Sequence, residues 1–277
     1  MISIIIINGH DSVKYLQETV YSIEEKITDL EYEIIIVNLK IKTENDTNKK
    51  LKVFFLDTDN PAKAKNFGVS KSTFDNLLFL KAGVVVKVNP FIHFFEKFKN
   101  RNYGAVALKL YDYKSHFKIN IWREIGLSEE IEEDAINKKI FQGNTHKTLE
   151  LENRYHDIAS VARVSSDAMF IDKKILNEAG GFNEYLINYY DDADLCKKLL
   201  EKKYANYFYP FCKLQYLPLD EVDITQHLKS RLRYYKLHIS FFIRLFLRTA
   251  LAVKYLLLSL TFNRQNLLSL KSVLFPY

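Results

Sequence analysis

The sequence predicts an α/β fold: a mixed, mostly parallel sheet flanked by helices, followed by a helical C-terminal extension. Three observations predict it. "ISIIII" and "YEIIIV" are continuous apolar, β-branched runs, which suit strands covered on both faces. Between them Val13, Leu16, Val20, Ile23, Ile27 and Leu30 recur at spacings of three and four, one face of a helix. The alternation then resumes with "LKVFFL", the small-residue segment "PAKAKNFGVSKS" and "NLLFL". Strand, helix, strand, strand-like run, helix, strand is the rhythm of an open doubly wound sheet.

Each element has a local reason. Asp11 or Ser12 can cap the first helix. Pro61 at the head of "PAKAKNFGVSKS" suits a first helical turn. The fourth strand runs to Lys81-Ala82-Gly83. Ligands on such sheets bind beyond the C-terminal strand ends, where Asn38 and Lys81 stand. "DTD" at Asp57–Asp59 precedes Asn60-Pro61 and reads as a turn. Residues 89–102 read as helical and "YGAVALKLY" as a strand. The pattern weakens between Tyr111 and Arg163, where "LSEEIEEDAINKK" reads as an acidic surface helix with a structural rather than an acceptor-binding role. In "VSSDAMFIDKKILNEAGGF" a strand ends near Asp172, which can cap the next helix, and Gly180-Gly181 stops it. Asp191, Asp192 and Asp194 then open another helix, whose N-terminal dipole favours negative charge. Three carboxylates so close can mean a capped helix, a metal site, or a base held ionised.

Composition narrows the function classes. With 277 residues, 48% apolar and 27% charged, the chain can bury a sizeable core and is not a disordered polymer. The N-terminus lacks a basic start and a small-residue cleavage site, so no signal peptide is expected. The two cysteines make no disulfide framework, and Cys196 beside Leu195 and Leu199 reads as a core thiol. These features point to the cytosol, or to the cytosolic side of a membrane. No Gly-rich phosphate loop or Cys/His metal spacing appears, and the seven histidines are scattered.

The net charge of +6 is unevenly placed: residues 224–277 hold nine Lys or Arg and no acid, which leaves −3 for the remainder. The expected division is therefore a body at 1–223 followed by a basic extension at 224–277. Lys229, Arg231, Arg233, Lys236, Arg244, Arg248 and Lys254 interrupt the extension too often for it to span a bilayer, which takes ~20 largely apolar residues. Its Leu- and Phe-rich faces fit a helix lying in a membrane interface, or helices packed on the domain or in a homo- or hetero-oligomer. They argue against nucleic acid, because a phosphate-tracking patch does not need so much Leu and Phe.

Three stretches then carry a resemblance: "SIIIINGHDSVKYLQETVYSI", "AKAKNFGVSKS…NLLFLKAGVVV" and "AMFIDKKILNEAGGFNEYLINYYDDADLCKKLLEKKYANYFYP". Together they resemble family 2 glycosyltransferases with the GT-A fold, especially the bacterial rhamnosyltransferase-like members, over roughly residues 2–110 and 160–215. The resemblance implies a GT-A-like domain over 1–223, with a nucleotide-binding half at 1–110 and an acceptor half at 111–223, and inverting transfer of a sugar from a nucleotide donor to a glycan or lipid-linked acceptor, in polysaccharide or glycoconjugate assembly. It places Asp192 at the catalytic base, flanked by Asp191 and Asp194, and puts Asn38, Lys65 and Asn66 (the last two in the family's alanine–arginine–asparagine–x–glycine helix), Lys81 and Gly83 at the donor-binding positions. It also exposes departures. Asn38 stands where an acid is usual. Lys81 and Gly83 replace both carboxylates of the metal-binding Asp-x-Asp motif, and Gln215 stands near a usual histidine. The resemblance therefore implies a degenerate donor site without the family's divalent cation. There Lys81 is either a relic or a replacement for the metal's charge. The alternative is a non-catalytic scaffold or regulatory partner of an active glycosyltransferase.

Overall fold

The computed structural model describes residues 1–9, 15–41, 46–47, 50–123, 145–217, 223–259 and 264–275. The proposed caps Asp11 and Ser12, the helix position Val13 and the acidic segment "LSEEIEEDAINKK" lie outside the described residues. In chain order the elements are β1 (Ile2–Asn8), α1 (Leu16–Lys26), β2 (Tyr32–Leu39), β3 (Asp46–Thr47), β4 (Leu51–Leu56), α2 (Pro61–Lys71), β5 (Asn76–Lys81) and β6 (Val84–Val88). Next come α3 (Phe94–Phe98), β7 (Tyr103–Tyr111), β8 (Ile121–Trp122), α4 (Thr145–Arg154), β9 (Ala159–Val161), β10 (Arg163–Val164), β11 (Ala168–Asp172), α5 (Lys173–Glu178), α6 (Asp191–Glu201) and β12 (Ala205–Tyr216). The extension supplies α7 (Ile224–His238), α8 (Phe241–Ser259) and α9 (Arg264–Leu274).

Ten strands form one mixed sheet, in the order β3-β4-β2-β1-β5-β11-β7-β12-β6, with β9 beside β12. Its first half is parallel: β1 pairs with β2 and β5, and β2 with β4. The sense reverses at β11, which runs antiparallel to β5 and β7. β12 is parallel to β7 and antiparallel to β6. The chain leaving β5 thus re-enters the sheet at its far edge.

The continuous apolar runs serve two cores, because successive side chains of a strand point to opposite faces. Ile4, Ile6, Ile34, Ile36, Leu78 and Leu80 pack on the side of α1 and of Phe94 and Phe98 in α3. Ile5, Ile7, Ile35, Val37, Leu77 and Phe79 pack against α2 and α6. Small residues let α2 lie close: a Cβ added at Gly68 would come within 2.5 Å of Ile5 Cγ2. Asp172 caps α5 as expected, accepting from the Lys174 and Ile175 N–H groups. Gly180 and Gly181 follow with φ of 84° and 71°.

Two expectations shift. The helix expected over 89–102 is confined to Phe94–Phe98, within an aromatic cluster that includes Phe91, Phe170 and Tyr209. The weakly patterned region contains α4, which the sequence did not signal. Its Glu152 pairs with Lys109 at 2.8 Å and accepts from the Tyr111 hydroxyl at 2.7 Å.

A third apolar cluster joins the extension to the sheet domain. Leu228, Leu232 and Tyr235 of α7, Leu247 and Leu251 of α8 and Val273 of α9 pack with Leu186 and Ala193. The Ser230 hydroxyl donates to the Ile187 carbonyl at 2.6 Å. Among the described residues no helix is long and apolar enough to cross a membrane.

Candidate functional site

The parallel strands β1, β2 and β5 end together, at Asn8, Asn38 and Lys81. Asn8 and Asn38 sit side by side in register, both buried, and the Asn8 amide donates to Asn38 Oδ1 at 2.6 Å. A neutral amide pair therefore occupies the position expected to hold an acid.

At the end of β5 the chain turns sharply through Ala82 and Gly83. Gly83 has φ 95°, in the region that favours glycine, and its N–H donates to the Thr19 hydroxyl at 2.9 Å. The Lys81 ammonium lies 4.7 Å from the ring centre of Tyr216, at the end of β12. The Lys118 ammonium lies 5.3 Å from the same ring. Two cations thus lie close to one aromatic ring beside the turn where the resemblance puts the Asp-x-Asp motif. Gln215 is turned away to the 112–115 turn, donating to the Asp112 carbonyl at 3.1 Å.

The Asp191-Asp192-Asp194 helix start approaches the same strand ends through Ser166 and Asp167. The Lys81 N–H donates to the Asp167 carbonyl at 3.0 Å. The Ser166 N–H donates to Asp192 Oδ2 at 3.1 Å, and the Ala193 N–H to Asp192 Oδ1 at 2.8 Å. The candidate cation and the candidate base are therefore tied to adjacent residues of one segment. Burial raises the proton affinity of Asp192, and the charge of Asp191 raises it further; Lys65 and the Ser166 N–H pull the other way. The balance lifts the carboxyl from an ordinary 3.8 to about 6.

Asp191 and Asp194 have different settings. Asp191 is buried, and its Oδ2 lies 2.6 Å from the buried Lys65 ammonium. Lys65 also donates to the Ser166 hydroxyl at 2.5 Å and lies 4.8 Å from the Phe182 ring centre. Asp194 Oδ1 is 2.6 Å from His238 Nε2. Its Oδ2 is 2.6 Å from the Lys198 ammonium, an ion pair whose geometry falls outside hydrogen-bond angles. Burial would raise the Asp194 carboxyl, but His238 and Lys198 outweigh it and hold it below its ordinary value. Asn66 clamps the loop before α6: its amide donates to the Phe182 carbonyl and to Glu184 Oε1, each at 2.9 Å, and its Oδ1 accepts from the Phe182 N–H at 2.9 Å.

Tyr190, immediately before this helix, has φ 69°, a left-handed conformation that costs a tyrosine ~1–3 kcal/mol. Its ring lies 5.2 Å from His227 and 5.5 Å from Tyr234, both on α7. The extension therefore grips both sides of the acidic turn, through Tyr190 and through Asp194.

Of the residues singled out from the sequence, Asn38, Lys81 and Gly83 lie at the strand ends, and Asp192 is tied to them through Ser166. Lys65 and Asp191 pair with each other, and Asn66 holds a loop. Sequence reasoning missed Ser166, Lys118, Tyr216 and His238. Ser166 lies in the quoted "VSSD", but nothing in its spacing marks it. His238 comes from 44 residues beyond Asp194 and carries no local signal.

A divalent cation held by side chains takes carboxylate, carbonyl or imidazole donors, and the resemblance puts such a site at these positions. Here the corresponding positions offer an ammonium, a glycine and an amide already engaged, which do not fit such an ion. Among the described residues no three His, Cys, Asp or Glu side chains gather as a metal-ligating set.

The architecture is that of the GT-A glycosyltransferases, a mixed α/β sheet with helices on both faces. The solved structure of GalNAc-T7 with UDP, GalNAc and Mn2+ is similar, with a TM-score of 0.58 at 15% sequence identity, over 85% of this chain and 47% of that one. The chain thus spans about half the length of that protein, and at this identity the likeness is one of fold. No protein-family model and no curated protein matches the sequence.

Proposed function

We propose that the chain transfers a sugar, with inversion, from a nucleoside-diphosphate donor to a glycan or lipid-linked acceptor in bacterial polysaccharide or glycoconjugate assembly. Asp192 takes the proton of the acceptor hydroxyl, whose oxygen attacks the anomeric carbon from the face opposite the diphosphate. The bond to the diphosphate breaks, and Lys81, with Lys118 near the same Tyr216 ring, offsets the charge left on it. Lys65, Asp191 and Asp194 hold the acidic turn in place. The observation that carries this reading is the Ser166-Asp167 segment, which ties Lys81 to a carboxylate whose affinity of about 6 suits a base near neutral pH. The reading includes a place at a membrane surface or in an oligomer through 224–277.

A second reading is a non-catalytic partner of an active glycosyltransferase. It is favoured by the engagement of all three carboxylates within the protein, Asp191 by Lys65, Asp192 by backbone N–H groups, and Asp194 by His238 and Lys198.

Calorimetric titration with a panel of nucleoside diphosphates and their sugars, with EDTA or with Mn2+, separates the readings. The transferase reading expects binding insensitive to EDTA, and a Lys81→Ala variant weakened by about 1.5–3 kcal/mol, the scale of a charged hydrogen bond. It also expects Asp192→Asn to abolish transfer while retaining binding. Absence of all binding supports the partner reading, and binding that requires Mn2+ contradicts the role given to Lys81.

A further inference from the structure

α8 is amphipathic in the reverse sense for a surface helix. Leu247 and Leu251 are buried against α7 and α9, with Arg244, Arg248 and Tyr255 partly covered beside them. The opposite face presents Phe242, Leu245, Phe246, Val253, Leu256 and Leu257, and each is more than half exposed, Phe242 at 80%. At about 100° per residue these six fall within roughly 120° of one another, with the exposed Thr249 in the same arc, so they form a stripe that no charge interrupts. Contiguous apolar surface of this kind marks an interaction site.

We propose that this face of α8 docks on an anionic lipid surface, with the helix lying along the bilayer. Charge decides between occupants. Residues 224–277 contain nine Lys or Arg and no acid, and Arg244, Arg248 and Lys254 lie off the apolar stripe on the same helix. A second copy of the chain would bring the same cations together with no carboxylate from this region to meet them. Anionic headgroups complement the net positive charge of the extension, with the exposed Lys254 beside the stripe, while the apolar side chains enter the acyl boundary; Arg244 and Arg248 stay turned inward, donating to the Lys236, Val273 and Leu274 carbonyls. A helix of 19 residues, about 28 Å long, suits the interface and carries too many charges to insert across it.

The test reads partition into vesicles and is independent of sugar transfer, so it can fail while the transferase reading stands, and the reverse. The full chain is sedimented with vesicles of phosphatidylcholine alone or mixed with phosphatidylglycerol. Binding is expected with the anionic vesicles at low salt, falling as salt rises. Phe242→Glu together with Phe246→Glu should weaken it at least about tenfold, with circular dichroism unchanged because both rings are exposed. Should that pair disturb folding, a Phe246→Trp variant serves instead, and brominated lipid should quench its fluorescence above the Trp122 background. The proposal is overturned by absence of binding at low salt, by equal binding to phosphatidylcholine alone, or by binding unaffected by the two glutamates. A lack of quenching overturns it too. So does a stable dimer that the two glutamates dissociate, which would assign the face to a second copy.

Discussion

The Asp192 carboxyl should write its signature into the pH dependence of stability. Folding moves this group from an ordinary 3.8 to about 6, so between those values the folded chain holds a proton that the unfolded chain has lost. The stability tied to that proton is fully present below the unfolded value and disappears as the pH rises through the folded one. Integrated from about pH 5 to about pH 8, the loss is about 1.4 kcal/mol, and the partial exposure of Asp192 reduces it to ~1 kcal/mol. Asp192→Asn removes the titration. Its amide can accept only one of the two N–H bonds from Ser166 and Ala193, but that penalty does not vary with pH and cancels from the slope. Urea unfolding of wild type and variant at matched ionic strength should therefore show the variant gaining on wild type by ~1 kcal/mol across the window, or about 2–4 °C in melting temperature. A flat difference, or one of opposite sign, would show that burial and Asp191 do not raise this carboxyl, and would remove the main electrostatic support for it as a base.

Asp191→Ala leaves the Lys65 ammonium buried between Ser166 and Phe182 without its carboxylate, and should cost about 3–5 kcal/mol in urea unfolding. A loss below ~1 kcal/mol would mean the pair is not buried in solution. His238→Ala removes the imidazole from Asp194 and should cost about 1.5–3 kcal/mol by the same measurement. An unchanged midpoint would show that α7 does not hold the acidic turn. The EDTA insensitivity and the Lys81→Ala weakening, and the partition onto anionic vesicles, are expected as set out above.

The sheet was legible because its parallel half is buried on both faces, so β1, β2 and β5 appear as unbroken apolar runs. Short-range chemistry was legible too: Asp172 before α5, Gly180-Gly181 after it, and the Lys81-Ala82-Gly83 turn. The extent of α3 was not, because aromatic packing around Phe94 stabilises the segment without helical hydrogen bonds along all of it. α4 was missed because it carries few apolar residues at helical spacing. In the candidate site, the residue types at 38, 81, 83 and 191–194 could be read directly. Their partners could not. Lys65 meets Asp191 across 126 residues, and Ser166 meets Asp192 across 26, contacts that only the folded sheet creates.

Lys81 began as a choice between relic and replacement, and its surroundings bear on that choice. The groups at the altered positions are engaged within the protein. Asn38 accepts from Asn8, Gly83 closes a turn that also takes the Leu217 N–H on its carbonyl, and Gln215 is held by the 112–115 turn. None of these groups is among the buried polar side-chain atoms that lack a hydrogen bond in the described residues. Nor is Lys81 alone, since a second ammonium shares its tyrosine. In the proposed reading a diphosphate would meet these two ammonium groups, and the exchange of Lys81 for alanine tests it directly: binding weakened by about 1.5–3 kcal/mol supports a replacement, whereas no measurable binding by either protein assigns Lys81 as a relic.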